Sequence, residues 1–248
     1  DTFVRLDAHS IPYPDYLRRC VEVLEETGAS NVGGIWEIEP RVDTGMARAI
    51  AEAASHPLGA GDARYRIGGE AGPVETVPFG AFRREWIERV GPFNERMLTN
   101  EDYEYNTRIR EAGGTIWFDP SIRSVYFARS SLADLARQYW RYGYWKARML
   151  AVYPRSLRWR QALPPLFVLS TLLLVAVGVF SKVALLLLGV QWFVYASILL
   201  SAGLVSSIRN KTPWFIIGLP LAILTMHLSW GAGFLLSLPG SRLGQGDE

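Results

Sequence analysis

One cysteine, Cys20, stands among the 248 residues, so no internal disulfide forms and the chain suits a reducing compartment. Acid is the second scarcity. Of 24 Asp and Glu residues, all but Asp247 and Glu248 lie at or before Asp134, leaving 135–246 without a single carboxylate side chain. The net charge of +2 therefore averages a nearly neutral first part, a basic belt (Arg137, Arg141, Lys146, Arg148, Arg155, Arg158, Arg160) and an apolar tail. Two further absences exclude functions. The glycine-rich run Gly68-Gly69-Glu70-Ala71-Gly72-Pro73 lacks the Gly-Lys-Ser/Thr ending of a P-loop. The basic belt adjoins apolar runs, so anionic lipid or a diphosphate suits it better than nucleic acid. No signal peptide opens the chain, and Asp1 followed by a strand-like run predicts that further sequence lies upstream.

What is present reads as an interleaved α/β part followed by a membrane part. Phe3–Leu6 predicts a strand ending in Asp7-Ala8-His9-Ser10. Asp7 and His9, two apart at a strand's C-terminal end, are placed to share a divalent cation; Asp7 equally suits a turn cap and His9 a surface position. Pro12 and Pro14 break the chain before a helix to about Thr27, with Leu17, Val21 and Leu24 on one face. Asn31–Trp36 predicts a strand whose Gly33-Gly34 pair permits close backbone approach. Thr44 then caps a small-residue helix through Met46, Ile50 and Ala54. Leu58–Thr76 predicts a long loop, either a mobile substrate cover carrying Gly69 and Glu70 or a plain surface excursion. Val77–Phe82 predicts a strand, Arg83–Val90 a short helix, and Thr115–Phe118 and Ile122–Phe127 two more strands separated by Asp119-Pro120.

The helix from Asn100 to Ala112 carries Glu101 and Asp102 in its first turn and stops at Gly113-Gly114. Such a carboxylate is well placed to take a proton from a hydroxyl, and Thr99 with Asp102 equally suits a capping box. Ser130 or Ser131 starts a helix bearing Gln138, Tyr139, Arg141, Tyr142 and Trp145, suited to the headgroup layer or to packing on the domain. Leu163–Phe180, Val183–Val205 and Pro213–Leu238 each meet the roughly 20 apolar residues of a spanning helix. Charge bias places the basic belt and Arg209/Lys211 inside, with Lys182 and the C-terminal tail outside. His227 within the last run is either functional or bonded to a neighbouring helix.

Taken together, Val4–Ser10, Asn31–Gly34, Gly68–Pro73, Asn100-Glu101-Asp102 and Gln138–Tyr142 make the chain resemble membrane-bound family 2 glycosyltransferases of the succinoglycan glucosyltransferase type. The resemblance implies the C-terminal part of a GT-A domain over 1–130, an interfacial region over 131–162 and about three transmembrane helices over 163–240. It implies an inverting transfer from a nucleotide-sugar, a UDP-sugar, to a lipid-linked or polysaccharide acceptor, in exopolysaccharide or cell-surface glycan synthesis. The place implied is the bacterial inner membrane, multi-pass, with the catalytic part cytoplasmic and membrane lipids as partners. Asp102 matches the general base and Glu101 its neighbour. Gln138 and Arg141 match the donor-diphosphate motif Gln-x-x-Arg-Trp, with Tyr142 in place of tryptophan, which favours single-sugar addition over polymerisation. Asp7 matches the first acid of a metal motif for Mn2+ or Mg2+, with His9 where the second acid stands. A polyprenyl-phosphate sugar transferase and a non-catalytic membrane scaffold are the alternatives.

Overall fold

The computed structural model describes residues 1–7 and 10–238. His9 lies outside the described residues. In chain order the strands are β1 (Thr2–Val4), β2 (Ser10–Pro12), β3 (Asn31–Pro40), β4 (Gly72–Val74), β5 (Ala81–Arg83) and β6 (Ile116–Ala128). The helices are α1 (Tyr16–Thr27), α2 (Gly45–Ser55), α3 (Pro57–Ala60), α4 (Arg64–Ile67), α5 (Arg84–Val90), α6 (Glu101–Glu111), α7 (Leu132–Val152), α8 (Trp159–Gly178), α9 (Lys182–Asn210) and α10 (Phe215–Ser237). Two compact units result, one of 1–39 with 54–128, the other of 40–53 with residues from 129 onward.

The first unit is a mixed α/β sheet in the order β1-β5-β3-β6-β2, with β4 also paired to β6. β1 and β3 both run antiparallel to β5, which registers Val4 opposite Ala81 and Asn31 opposite Phe82. At the predicted glycine pair, a Cβ on Gly34 would lie 1.7 Å from the Ile122 carbonyl oxygen, so β3 and β6 approach too closely there for any side chain.

Several expectations are corrected. The buried stripe of α1 is Tyr16, Cys20, Val23 and Leu24, while Leu17 and Val21 face out; the Tyr16 hydroxyl, which donates to the Phe79 carbonyl at 2.6 Å, fixes that rotation. The long loop folds instead into α3, α4 and β4. β6 runs unbroken through Asp119-Pro120: Asp119 accepts from the Ser121 amide at 2.8 Å and hydroxyl at 2.5 Å, and exposed Pro120 needs no ladder donor.

The second unit is helical. α8, α9 and α10 are each long and apolar enough to cross a membrane, which marks a membrane-associated protein. Ser181 caps α9 by accepting from the Ala184 amide, and Thr44 caps α2 by accepting from Ala47. α7 packs along α10, where a Cβ on Gly143 would meet the Trp230 carbonyl at 2.1 Å and one on Gly233 the Trp140 carbonyl at 2.3 Å. α2 belongs to this unit too: Glu52 accepts from the Ser206 hydroxyl at 3.0 Å, and Ala49 abuts Gly218. His227 Nδ1 lies 2.9 Å from the Tyr195 hydroxyl, a bond between α10 and α9.

Candidate active site

β1 ends at Val4, and Arg5 still follows the sheet, its amide donating to the Gly80 carbonyl at 3.1 Å. The chain then turns at Asp7, whose carbonyl accepts from both the Ser10 amide (3.1 Å) and hydroxyl (2.8 Å). Nearly a hundred residues later, Asn100 adopts a left-handed conformation, φ 66°, and α6 begins. Neither Asn100 nor Thr99 caps the helix with its side chain, and Thr99 donates to the Leu98 carbonyl instead. The capping box with Asp102 does not form. The acid is engaged elsewhere.

That partner is Arg5. Its Nη2 donates to Glu101 Oε1 at 2.8 Å and to Asp7 Oδ1 at 3.1 Å, and its Nη1 donates to Asp102 Oδ1. One guanidinium thus gathers three carboxylates from two distant segments. The Phe93 ring lies beneath it, 5.0 Å from centroid to Cζ. The four side chains remain between 21 and 32 % exposed, open to a ligand.

α6 is held against the sheet by a buried amide pair one turn below Asp102. Asn106 Oδ1 accepts from Asn31 at 2.6 Å, and Asn106 Nδ2 donates to the Thr76 hydroxyl at 2.8 Å and the Val77 carbonyl at 2.9 Å. Tyr105 stacks on Phe93 at 4.2 Å, so the same ring supports both Arg5 and α6. Arg108 braces the far end, donating to the Val90 and Pro92 carbonyls while it pairs with Glu104.

The electrostatics follow from this placement. Burial pushes the Asp102 carboxyl up to about 7; Arg5 pulls against that shift, while Glu101 and Asp7 add to it. Burial also opposes the Arg5 charge, but Asp102, Glu101 and Asp7 outweigh it and hold its pKa above the ordinary guanidinium value. A partly exposed carboxylate poised near neutrality is what general-base chemistry requires.

Among the described residues no group of three or more His, Cys, Asp or Glu side chains could hold a metal ion unaided. Asp7 nonetheless suits a divalent cation. It offers hard oxygen, its described bond uses only Oδ1, and Mg2+-like ions commonly take one or two protein carboxylates and complete their shell with phosphate oxygens. Of the other predicted positions, Gly69 and Glu70 belong to the first unit and Gln138 and Arg141 to the second. Gly69 and Glu70 are exposed on a segment pinned by Arg64, which donates to the Glu70 carbonyl at 3.1 Å. Gln138, on α7, donates to the Tyr142 hydroxyl at 2.9 Å, and Arg141, three residues on, is exposed. Sequence reading missed Arg5, Phe93 and the Asn31–Asn106 pair. Only Arg5 left a signal, a basic residue inside an apolar strand run two places before an acid.

Residues 1–91 match the model of glycosyl transferase family 2. The chain is 30 % identical over 240 residues to the succinoglycan biosynthesis protein ExoA of Rhizobium meliloti (strain 1021), covering 94 % of this chain and 68 % of that protein. It is 25 % identical over 245 residues, 96 % of this chain and 71 % of the relative, to a dolichyl N-acetyl-alpha-D-glucosaminyl phosphate 3-beta-D-2,3-diacetamido-2,3-dideoxy-beta-D-glucuronosyltransferase of Methanococcus voltae. The chain belongs to glycosyl transferase family 2 and is a glycosyltransferase. Members of that family generally use a divalent cation, a nucleotide-sugar donor and a glycan or lipid-linked acceptor.

Proposed function

We propose that this chain moves a single sugar, with inversion, from a UDP-sugar to a lipid-linked glycan at the cytoplasmic face of a bacterial inner membrane, in exopolysaccharide or cell-surface glycan synthesis. The observation that carries the proposal is the meeting of Asp7 and Asp102 on the Arg5 guanidinium. The acceptor in the name of the Methanococcus voltae relative, a dolichyl-phosphate-linked sugar, favours a lipid-linked acceptor over a free glycan.

In this reading Asp102 accepts the proton of the acceptor hydroxyl as that oxygen bonds to the anomeric carbon and the bond to the donor's diphosphate breaks. Arg5 fixes the direction of the Asp102 carboxylate, and Glu101 shares that anchor. Gln138 and Arg141 bind the diphosphate as it leaves, Arg141 by charge-assisted hydrogen bonds. Asp7 with His9 would hold Mn2+ or Mg2+, which when bound supplies positive charge to the departing diphosphate. Gly69 and Glu70 line the segment that covers the substrate.

The test is sugar transfer from labelled nucleotide-sugar in membranes holding the full chain, with Asp102→Asn against wild type and donor binding measured alongside. General-base catalysis is worth about 10²–10⁴-fold, so transfer should fall by that factor while donor binding persists. Transfer at the normal rate overturns the assignment. Transfer to a bare polyprenyl phosphate, recognised as an acid-labile lipid monophosphosugar, would make the chain a polyprenyl-phosphate sugar transferase. Loss of donor binding by the wild-type protein would make it a scaffold.

A further inference from the structure

α10 qualifies as a membrane span by length and composition, yet it is packed unlike its neighbours. In its most apolar eighteen residues 44 % are buried, against 11 % in α8 and in α9. What buries it is the telling point. Near its start, Ala49 of α2 lies against Gly218, and Trp214 lies over Gly45. Towards its end, α7 crosses it in antiparallel register, with Trp140 at Gly233 and Gly143 at Trp230.

Both covering helices are tied by short connections to the sheet that carries the carboxylates. Three residues separate β6 from α7, and four separate β3 from α2. A fully extended chain spans at most about 3.6 Å per residue, so connections of this length reach some 10–15 Å, well short of the ~30 Å hydrocarbon layer. The first turns of α7, with Asp134, Arg137 and Arg141, therefore stay on the side of the sheet, as does α2 with Glu52. Charged side chains at mid-bilayer are costly, which points the same way. Since α2 sits on one end of α10 and the first half of α7 on the other, neither end of α10 is free to reach the opposite surface.

We propose that α10 lies within the near leaflet, roofed by α2 and α7, and that the chain crosses the bilayer only as the α8–α9 hairpin. Contacts of α10 with that hairpin fit this placement: Gly203 meets the carbonyls of Phe215 and Ile216, Tyr195 meets His227, Gly231 meets Pro164, and Trp230 Nε1 donates to the Gln161 carbonyl at 3.2 Å. All involve the first part of α8 or α9 from about its midpoint onward, the parts of the hairpin away from its turn at Ser181. The exposed residues Ile216, Ile217, Leu221, Leu236 and Leu238 are then the acyl-chain contact of α10. The arrangement differs from the alternating topology that charge bias predicts, and it is independent of the chemistry at Asp102.

Single cysteines test it, because wild-type Cys20 is fully buried and serves as the blank. Ser181→Cys, Lys211→Cys and Leu238→Cys are introduced one at a time into the full chain and treated with a membrane-impermeant maleimide, in sealed spheroplasts and in inverted vesicles. Lys211→Cys and Leu238→Cys should label from the same face and Ser181→Cys from the other; labelling of Leu238→Cys with Ser181→Cys overturns the proposal. Nitroxides at Ile217, Leu221 and Leu236 in lipid vesicles give a second readout. Similar depths support an in-plane α10. A crossing helix separates Ile217 from Leu236 by about 28 Å at 1.5 Å per residue, and a depth profile passing through the bilayer centre between them refutes it.

Discussion

The sheet unit and the helical unit both use close backbone approach and polar pairing, at Gly34 and at Glu52–Ser206 for example, but in different measure. In the first, distant segments meet through polar side chains that find partners at defined points, Arg5 on three carboxylates and Asn106 on Asn31, Thr76 and Val77. In the second, segments meet where a side chain is missing, at Gly143, Gly203, Gly218, Gly231 and Gly233. The difference follows from solvent. Beside water, a directional bond singles out one arrangement; among apolar helices, close van der Waals contact does so, and it needs bare backbone.

The most damaging way to break this contrast is Gly143→Leu, which forces a side chain into the Trp230 carbonyl. Backbone cannot step aside as a side chain can, so folded protein should be lost from membranes. Its control is Gly189→Ala in α9, where nothing lies within 4 Å of the added carbon; it should leave the yield intact and can stabilise the helix by up to ~1 kcal/mol. Equal yields from the two variants would dissolve the steric half of the comparison.

Next comes pH. With the Asp102 carboxyl at about 7, kcat/KM for sugar transfer should fall about tenfold per pH unit below that value, as the base becomes protonated. Stability responds with the other sign. Because the native carboxyl binds its proton more tightly than the unfolded one, the contribution of this group is full below the ordinary carboxylate range and is lost as pH rises through about 7. Asp102→Asn should remove that part of the slope in thermal unfolding; an unchanged slope would mean that another group carries it.

Smaller still is Asn106→Ala, which strands the buried Asn31 amide and should cost about 1–3 kcal/mol of the sheet unit's stability. Thermal unfolding in detergent reads it. A neutral result would show that the amide pair does not fasten α6.

How much of this was legible in the sequence depended on the range of the interaction. α6 and the three apolar helices show in composition and in the Gly113-Gly114 stop, because helices are local objects. The face of α1 was not legible: Leu17, Val21 and Leu24 satisfy the helical period as well as Tyr16, Cys20 and Val23, and only the Phe79 carbonyl decides. β6 looked like two strands because Asp119-Pro120 carries turn chemistry, which the Asp119–Ser121 bonds absorb within the strand. At the candidate site the acids were visible as types in suggestive places. The cation that gathers them was not, since the pairing of Arg5 with Asp102 spans 97 positions.

Asn100 bends the chain into α6 with φ 66°, a torsion that asparagine, aspartate and glycine adopt readily and branched residues resist. The bearing of Glu101 and Asp102 is thus inherited from the main chain. Descendants of this sequence can exchange much of the surrounding surface and still aim both acids alike, provided position 100 keeps a residue content to turn left.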